Sequence, residues 1–521
     1  MPKGNAGDRA MSEQRINSGI ISGERYLSPQ ALGNNAARAA SALHSVGVWQ
    51  GDVVALLLRN DFAFFEATRG ATLLGATTVP MNWHMSVDEI AYVLDDCDAK
   101  VLIAHSDLLS ESVLAICGGR EVIAVESPPE IAKAFSLEAN QCRTHAAVPE
   151  WYTWLSAFQP WEEQPRALSN PMFYTSGTTG MPKGVLRKPV APEVAARAMQ
   201  RSAAAWGLGA DAARSIMTGP LYHSAPNAYG MGLVRNGGLL VMQPRFDPED
   251  MLAVIEQQEI THLHMVPTMF VRLLKLPAEI RNTYDLSSLQ HVAHGAAPCP
   301  REVKQQMIDW WGPVIHEYYA MTETGIVAMC NSEEWVAHPG TVGRAPEGVD
   351  IEIRNEEGEL CETGTPGQIC VSSETTPYVA YHRAEEKTAE LRVGNYIATG
   401  DVGYLDEDGF VYISDRISDM VISGGVNIYP AEVEKVLVTM PEVRDCAVFG
   451  VPDQEFGERL VSVVEVSKPM QGVALNRFLR ERMSNYKVPR EFLFVQHLPR
   501  EDSGKIKKRL LRDAFIAGEL S

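Results

Sequence analysis

The segment Phe173-Tyr-Thr-Ser-Gly-Thr-Thr-Gly-Met-Pro-Lys-Gly-Val185 follows an apolar run and packs glycines, hydroxyls and one lysine into a turn. That composition suits a phosphate cradle. Glycines such as Gly177 let the backbone approach an oxyanion, the hydroxyls of Thr175, Ser176, Thr178 and Thr179 add donors, and Lys183 brings a mobile positive charge. It is not the common P-loop, because Gly184 stands where a metal-binding hydroxyl should follow the lysine. An isolated Gly/Ser/Thr cluster is commonly a plain surface turn. The segments that accompany it therefore carry the decision.

Four do so. Tyr318-Tyr-Ala-Met-Thr-Glu323 offers an aromatic ring for a purine, a hydroxyl for phosphate and a carboxylate suited to Mg²⁺; alone it would read as a strand end with Thr322 capping a helix. His294-Gly-Ala-Ala-Pro298 is a small-residue turn that would admit a flat ligand, or simply join a strand to a helix. Thr399-Gly-Asp401 precedes a hairpin over 404 to 412, where Asp401 could accept two ribose hydroxyls or serve as a turn residue. Asp415-Arg-Ile-Ser-Asp-Met-Val-Ile-Ser-Gly-Gly-Val-Asn-Ile-Tyr-Pro-Ala-Glu-Val-Glu434 is the most distinctive after the first, and Pro499-Arg-Glu-Asp-Ser-Gly-Lys505 closes the series with a lysine at a turn tip.

In this order and spacing the segments resemble the adenylate-forming superfamily: acyl-CoA synthetases, firefly-type luciferases and the adenylation domains of peptide synthetases. The resemblance runs from about Leu27 to the C-terminal region. It implies that 173 to 185 holds the β- and γ-phosphates of ATP, with Thr175, Ser176, Gly177, Thr178, Thr179 and Lys183 as its groups. It assigns adenine stacking to Tyr319, one face of adenine and the acyl pocket to Gly295 and Ala296, the α-phosphate to Thr322, magnesium to Glu323, and the ribose to Asp401 with Arg416. It makes 416 to 419 a hinge and passes the thiol arm of coenzyme A beside Gly424 and Gly425. Lys505 would bridge the substrate carboxylate and the α-phosphate. The family usually has Asp or Lys as the pivot where this chain has Ser418; a hinge needs only to absorb φ/ψ change, which Ser can do.

The implied activity is that of an ATP-dependent acyl-CoA synthetase, an AMP-forming ligase: a hydrophobic carboxylic acid becomes acyl-AMP with release of pyrophosphate, and the acyl group then passes to coenzyme A. ATP, Mg²⁺ and CoA are the expected cofactors. A ligase that loads a carrier protein and a luciferase-like oxygenase are the alternatives. A binding protein without activity would be expected to have lost Lys505, Glu323 or the phosphate loop, and all three are present.

Pro220-Leu-Tyr-His-Ser-Ala-Pro-Asn-Ala-Tyr229 matches the family's segment beside the acyl pocket and places His223 at the carboxylate end. No acidic residue lies between Leu221 and Tyr229 to pair with an α-ammonium, so an amino acid is disfavoured as substrate. Asn227 replaces the Trp that closes some long-chain tunnels, and Ala296, Ala297 and Ala320 leave room. The expected acid is apolar and of medium size or larger, whether fatty, aryl, aryl-propenoic or a steroid side chain. Lys487, Arg490 and Lys507 to Arg509 are cations that could meet CoA phosphates or form a solvated face.

Bulk properties agree. The 521 residues exceed what one core usually organises, and shares of 45% hydrophobic and 21% charged residues describe a globular chain. No apolar run approaches the ~20 residues of a membrane span and the N-terminus lacks a signal-peptide core, so a cytoplasmic location is expected. The 8 cysteines form no Cys-x-x-Cys pair, which disfavours structural zinc and a disulfide framework. A net charge of −20 disfavours nucleic acid as a partner and requires local cations wherever anions bind. The expected partners are small molecules, with a homodimer left open.

Alternating helical and strand-like runs from Ala31 onward predict an α/β chain with a large multi-layer N-terminal domain: two α/β subdomains plus a small β-barrel-like unit after Gly340, where acidic turns separate short strands. A small mobile α+β C-terminal domain of about 100 residues follows. The boundaries read as 1 to 415, a hinge at 416 to 419, and 420 to 521.

Overall fold

The computed structural model describes residues 16–144, 148–166, 169–175, 181–187, 190–209, 213–374, 379–424, 426–500 and 506–520. The first layer is a four-stranded parallel sheet in the order Thr77–Pro80, Val53–Leu57, Ala99–His105, Glu121–Val125. Its strands are buried on both faces, which is why Val53–Leu57 reads Val-Val-Ala-Leu-Leu without alternation. Helix Phe62–Leu73 packs on it, and helix Val87–Asp96 starts at a reciprocal cap between Ser86 and Glu89.

The central sheet has 14 strands. Its parallel heart runs Leu239–Met242, Arg214–Met217, His262–Met265, His291–His294, Ile315–Met321. Beyond Ile315–Met321 it turns antiparallel through Gly325–Cys330, Gly343–Arg344, Phe410–Arg416, Tyr396–Leu405, Gly367–Ser373 and Val349–Arg354. The unit expected after Gly340 has its own core around Val327, Ile353, Ile369 and Val411. It is nevertheless joined to the central sheet, because the two-residue strand Gly343–Arg344 bonds to both Gly325–Cys330 and Phe410–Arg416.

A three-stranded antiparallel sheet, Phe173–Thr175, Lys183–Arg187 and Val379–Tyr381, carries the opening sequence segment. The C-terminal part is a five-stranded mixed sheet built on the long pair Val443–Asp453 and Gly457–Val466. Helices Pro430–Leu437, Gly472–Arg480 and Lys508–Ile516 accompany that sheet. Two expectations are corrected locally. Thr322 caps no helix: it sits in the turn between the antiparallel strands Ile315–Met321 and Gly325–Cys330. Asp401 lies inside the strand Tyr396–Leu405, buried and in register opposite Arg416.

Candidate active site

Phe173–Thr175 and Lys183–Arg187 form a hairpin in which Thr175 pairs with Lys183. Ser176, Gly177, Thr178 and Thr179 lie outside the described residues. Strand period two puts Lys183, Val185 and Arg187 on one face. Lys183 Nζ stands 5.1 Å from the ring centre of Tyr381, whose hydroxyl donates to Glu323 at 3.0 Å. Arg187 donates from Nε to the carbonyl of Thr322 at 2.8 Å. Burial pushes the Arg187 guanidinium below its ordinary value, with the Glu323 carboxylate opposing that shift.

The turn at Thr322 and Glu323 is thus held from several sides. Ser224, at the start of helix Ser224–Arg235, shares a hydrogen bond between its Oγ and Thr322 Oγ1 at 3.1 Å. The residue before it, His223, is the N-cap of that helix and lies against Tyr222, with ring centres 4.4 Å apart. Asn227 is buried and donates to the carbonyl of Leu221 at 2.9 Å, so its amide is turned back on its own segment.

One strand inward, the Tyr319 hydroxyl donates to Asp401 Oδ2, and Arg416 Nε lies 3.3 Å from Asp401 Oδ1. Burial, then the Asp401 charge, pushes the Tyr319 phenol well above its ordinary value, so it stays protonated and remains a donor. Thr399 Oγ1 accepts from the Asp401 backbone N–H at 3.1 Å.

Gly295 does something other than expected. A Cβ there would stand 2.6 Å from the carbonyl oxygen of Tyr318 and 2.9 Å from its ring, so the missing side chain makes room for Tyr318. Ala296, held at φ 68°, and Ala297 face the cleft, and among the described residues that line it Gly295 is not one. Gly424, at φ 59°, turns between Val421–Ser423 and Val426–Ile428 and donates to the Phe456 carbonyl at 2.8 Å; it too is off the cleft. Gly425 and Lys505 lie outside the described residues, while Ile506, Lys507 and Lys508 line the opening. Lys508 is committed to Glu434 at 2.8 Å, Lys487 to Glu432, and Arg490 rests 4.0 Å over Phe456.

A cleft of about 2280 Å³ lies between the central sheet and the C-terminal part. Thr175, Lys183, His223, Tyr319, Thr322, Glu323, Asp401 and Arg416 line it together. Arg187 and Tyr381 also line it, and neither was singled out from sequence. The alternation Lys-Gly-Val-Leu-Arg gives a signal for Arg187; Tyr381 has none, because its strand is brought in from far along the chain. Among the described residues no three His, Cys, Asp or Glu side chains gather as a metal cage, and no helix is long and apolar enough to cross a membrane.

The AMP-binding enzyme family model matches residues 7–378, and the AMP-binding enzyme C-terminal domain matches 432–505. The chain is 31% identical to a feruloyl-CoA synthase of an Amycolatopsis species, over 95% of each chain. It is 30% identical to a 2-succinylbenzoate–CoA ligase of Bacillus licheniformis, covering 94% of this chain and 96% of that one. The o-succinylbenzoate CoA synthetase of Bacillus subtilis, solved with its acyl-adenylate intermediate, superposes with a TM-score of 0.79 at 27% identity and 97% coverage of both chains. With both its larger and its smaller part matched in this way, the chain belongs to the AMP-binding enzyme family.

Proposed function

We infer that the protein is an AMP-forming acid–CoA ligase: it joins a hydrophobic carboxylic acid to AMP, releases pyrophosphate, and hands the acyl group to coenzyme A. A free carboxylate acylates thiols poorly because oxide is a poor leaving group, and the mixed anhydride with AMP removes that obstacle. The observation that carries the reading is the convergence of Lys183, Thr322, Glu323, Tyr319, Asp401, Arg416 and His223 on one cleft.

In this reading the carboxylate attacks the α-phosphate in line, and two negative charges must approach. Thr322 and Lys505 offset that repulsion at the α-phosphate, while the hairpin from Thr175 to Lys183 takes the departing pyrophosphate. Tyr319 borders the adenine, Asp401 with Arg416 takes the ribose, and His223 stands at the carboxylate end. Glu323 would hold magnesium, which when bound neutralises phosphate charge; one carboxylate suits an ion that keeps most of its waters and fills the rest of its shell with phosphate oxygens. After adenylation the small part turns about 416 to 419 and Gly424 and Gly425 come beside the thiol arm. The acid is apolar and of medium size or larger.

The test is pyrophosphate release with MgATP across fatty, aryl and steroid acids, each with and without CoA. Acid-dependent release accelerated by CoA, with AMP and thioester as products, is expected. Release that ignores CoA would refute CoA as acceptor, and no release with any acid would overturn the reading.

A further inference from the structure

One wall of the cleft is both aromatic and polar. Strands His262–Met265, His291–His294 and Ile315–Met321 are neighbours, and register puts His264, Ala293 and His316 in line, with Tyr318 two residues farther on the same face. The ring of Tyr318 lies over Gly295, and its hydroxyl meets His264 Nε2 at 2.6 Å. Trp206 stands edge-on to both rings, with centres 6.3 Å from Tyr318 and 6.4 Å from His264. The Trp206 N–H is buried and has no hydrogen-bond partner among the described residues. Tyr229, which also lies against His264, spends its own hydroxyl on Ser215 at 2.8 Å and so does not compete.

Trp206, His264 and Tyr318 are each buried, yet all line the same cleft as His223, Ala296 and Ala320. An apolar acid alone would be served as well by Phe and Leu here, because buried polar atoms cost stability unless something uses them. Burial holds His264 to about 4, so the imidazole is neutral near pH 7 and the pair is a dipolar, uncharged reader. Flat aromatic edges around it suit a ring rather than a flexible chain.

Resting on the ligase reading above, we propose that the acid carries a ring at the end away from its carboxyl group, and on that ring an oxygen substituent read by the Tyr318–His264 pair and the Trp206 N–H. The oxygen accepts from Trp206, and where it is a hydroxyl it donates to the Tyr318 oxygen. A methyl group in its place leaves the Trp206 N–H without a partner, and a site built to hydrogen-bond one group rejects the analogue that lacks it.

The experiment uses matched acids on one-ring and two-ring propenoic and propanoic scaffolds, each bearing hydroxyl, methoxy or methyl at the distal ring position. CoA-dependent pyrophosphate release is measured for each. On the scaffold that turns over fastest, kcat/KM should favour an oxygen-bearing acid over its methyl twin by about 30-fold or more. Tyr318→Phe and His264→Leu should each shrink that ratio to about threefold or less, by lowering the oxygen-bearing acid more than the methyl one. A wild-type ratio below about three, with CoA-dependent turnover of both acids, overturns this inference alone, and it decides the matter even if the variants fail to fold. A plain fatty acid turned over faster than every ring acid, or variants that slow both twins equally, also overturns it. Absence of acid-dependent release with any acid overturns the ligase reading itself.

Discussion

Replacing Lys304 by Met removes the cation from the most deeply buried ion pair near the site. Lys304 is fully buried on helix Arg301–Trp311, lies 4.9 Å from the ring centre of Trp335, and donates to Glu317 Oε2 at 2.6 Å. Glu317 is 4% exposed and immediately precedes Tyr318 and Tyr319. Burial already pushes its carboxyl above the usual 4.5, and Lys304 is the largest influence holding it down. Once Lys304 is gone, Glu317 must either stay charged without its partner or take up a proton. Protonation limits the loss to about 1.4 kcal/mol per pH unit above 4.5, so about 4 kcal/mol at pH 7.5 and under about 1 kcal/mol at pH 5. That ceiling falls within the range of about 3–5 kcal/mol typical of a broken buried pair. The sign follows from proton binding. Because the folded-state value lies above the unfolded one, the native state holds the extra proton, and stability falls as pH rises through the window between them. Urea unfolding of the wild type, Lys304→Met and the double variant Lys304→Met/Glu317→Leu at pH 5 and 7.5 tests this. The single variant should lose several-fold more stability at pH 7.5 than at pH 5, and the double variant should recover most of it. A loss that does not depend on pH, or a double variant no better than the single one, would refute the assignment.

Three further outcomes are expected. Lys505→Ala should abolish adenylate formation while CoA transfer from supplied acyl-AMP persists; equal loss of both steps in stopped assays would sink the division of labour. Asp401→Asn weakens the acceptor that faces Tyr319 and Arg416, and should raise KM for ATP about tenfold with kcat less affected, a loss of about 1.4 kcal/mol; an unchanged KM in a steady-state titration argues against a ribose site there. Gly295→Ala puts a methyl group 2.6 Å from the Tyr318 carbonyl and should cost about 1–3 kcal/mol of stability by overpacking, measurable as an earlier urea midpoint; wild-type stability would mean that this strand has slack.

Periodicity made most elements legible. Apolar runs and alternation put a strand over 53 to 58, a helix over 62 to 74 and a strand over 349 to 354, and Val53–Leu57, Phe62–Leu73 and Val349–Arg354 lie within a residue of them. Side-chain placements were legible where the pattern is local: Thr175 and Lys183, quoted from one segment, pair across its hairpin and both line the cleft. They were not where a residue's job depends on a distant strand. Gly295 read as room for a ligand, but the object that needs the room is Tyr318, delivered by a neighbouring parallel strand. Tyr381 reaches Glu323 only because Val379–Tyr381 pairs with Lys183–Arg187, a contact that no local pattern encodes. The hairpin unit after Gly340 looked separate because its turns are acidic and its strands short, and two residues, Gly343 and Arg344, join it to the sheet.

The segment around Asp415 sets the terms for any turning of the small part. Strand Phe410–Arg416 belongs to the central sheet up to its last residue, since Arg416 pairs in register with Asp401 and its guanidinium reaches the same carboxylate. One residue earlier, the buried Asp415 carboxylate accepts the backbone N–H of Ala431 at 2.8 Å, in the first turn of helix Pro430–Leu437. The last residues of the sheet therefore hold the small part directly, and free rotation can begin only within the single turn Ile417–Asp419. Any large rotation there pulls Ala431 away from Asp415 and leaves a buried carboxylate short of one donor, a cost of about 1–3 kcal/mol. That is small enough for a motion driven by ligand binding, yet large enough to favour one arrangement at rest. Among the described residues the Ser418 hydroxyl reaches only its neighbour Asp419, at 3.2 Å, and anchors neither part. For any rotation proposed at 416 to 419, the bond from Asp415 to Ala431 is a local restraint whatever residue stands at 418.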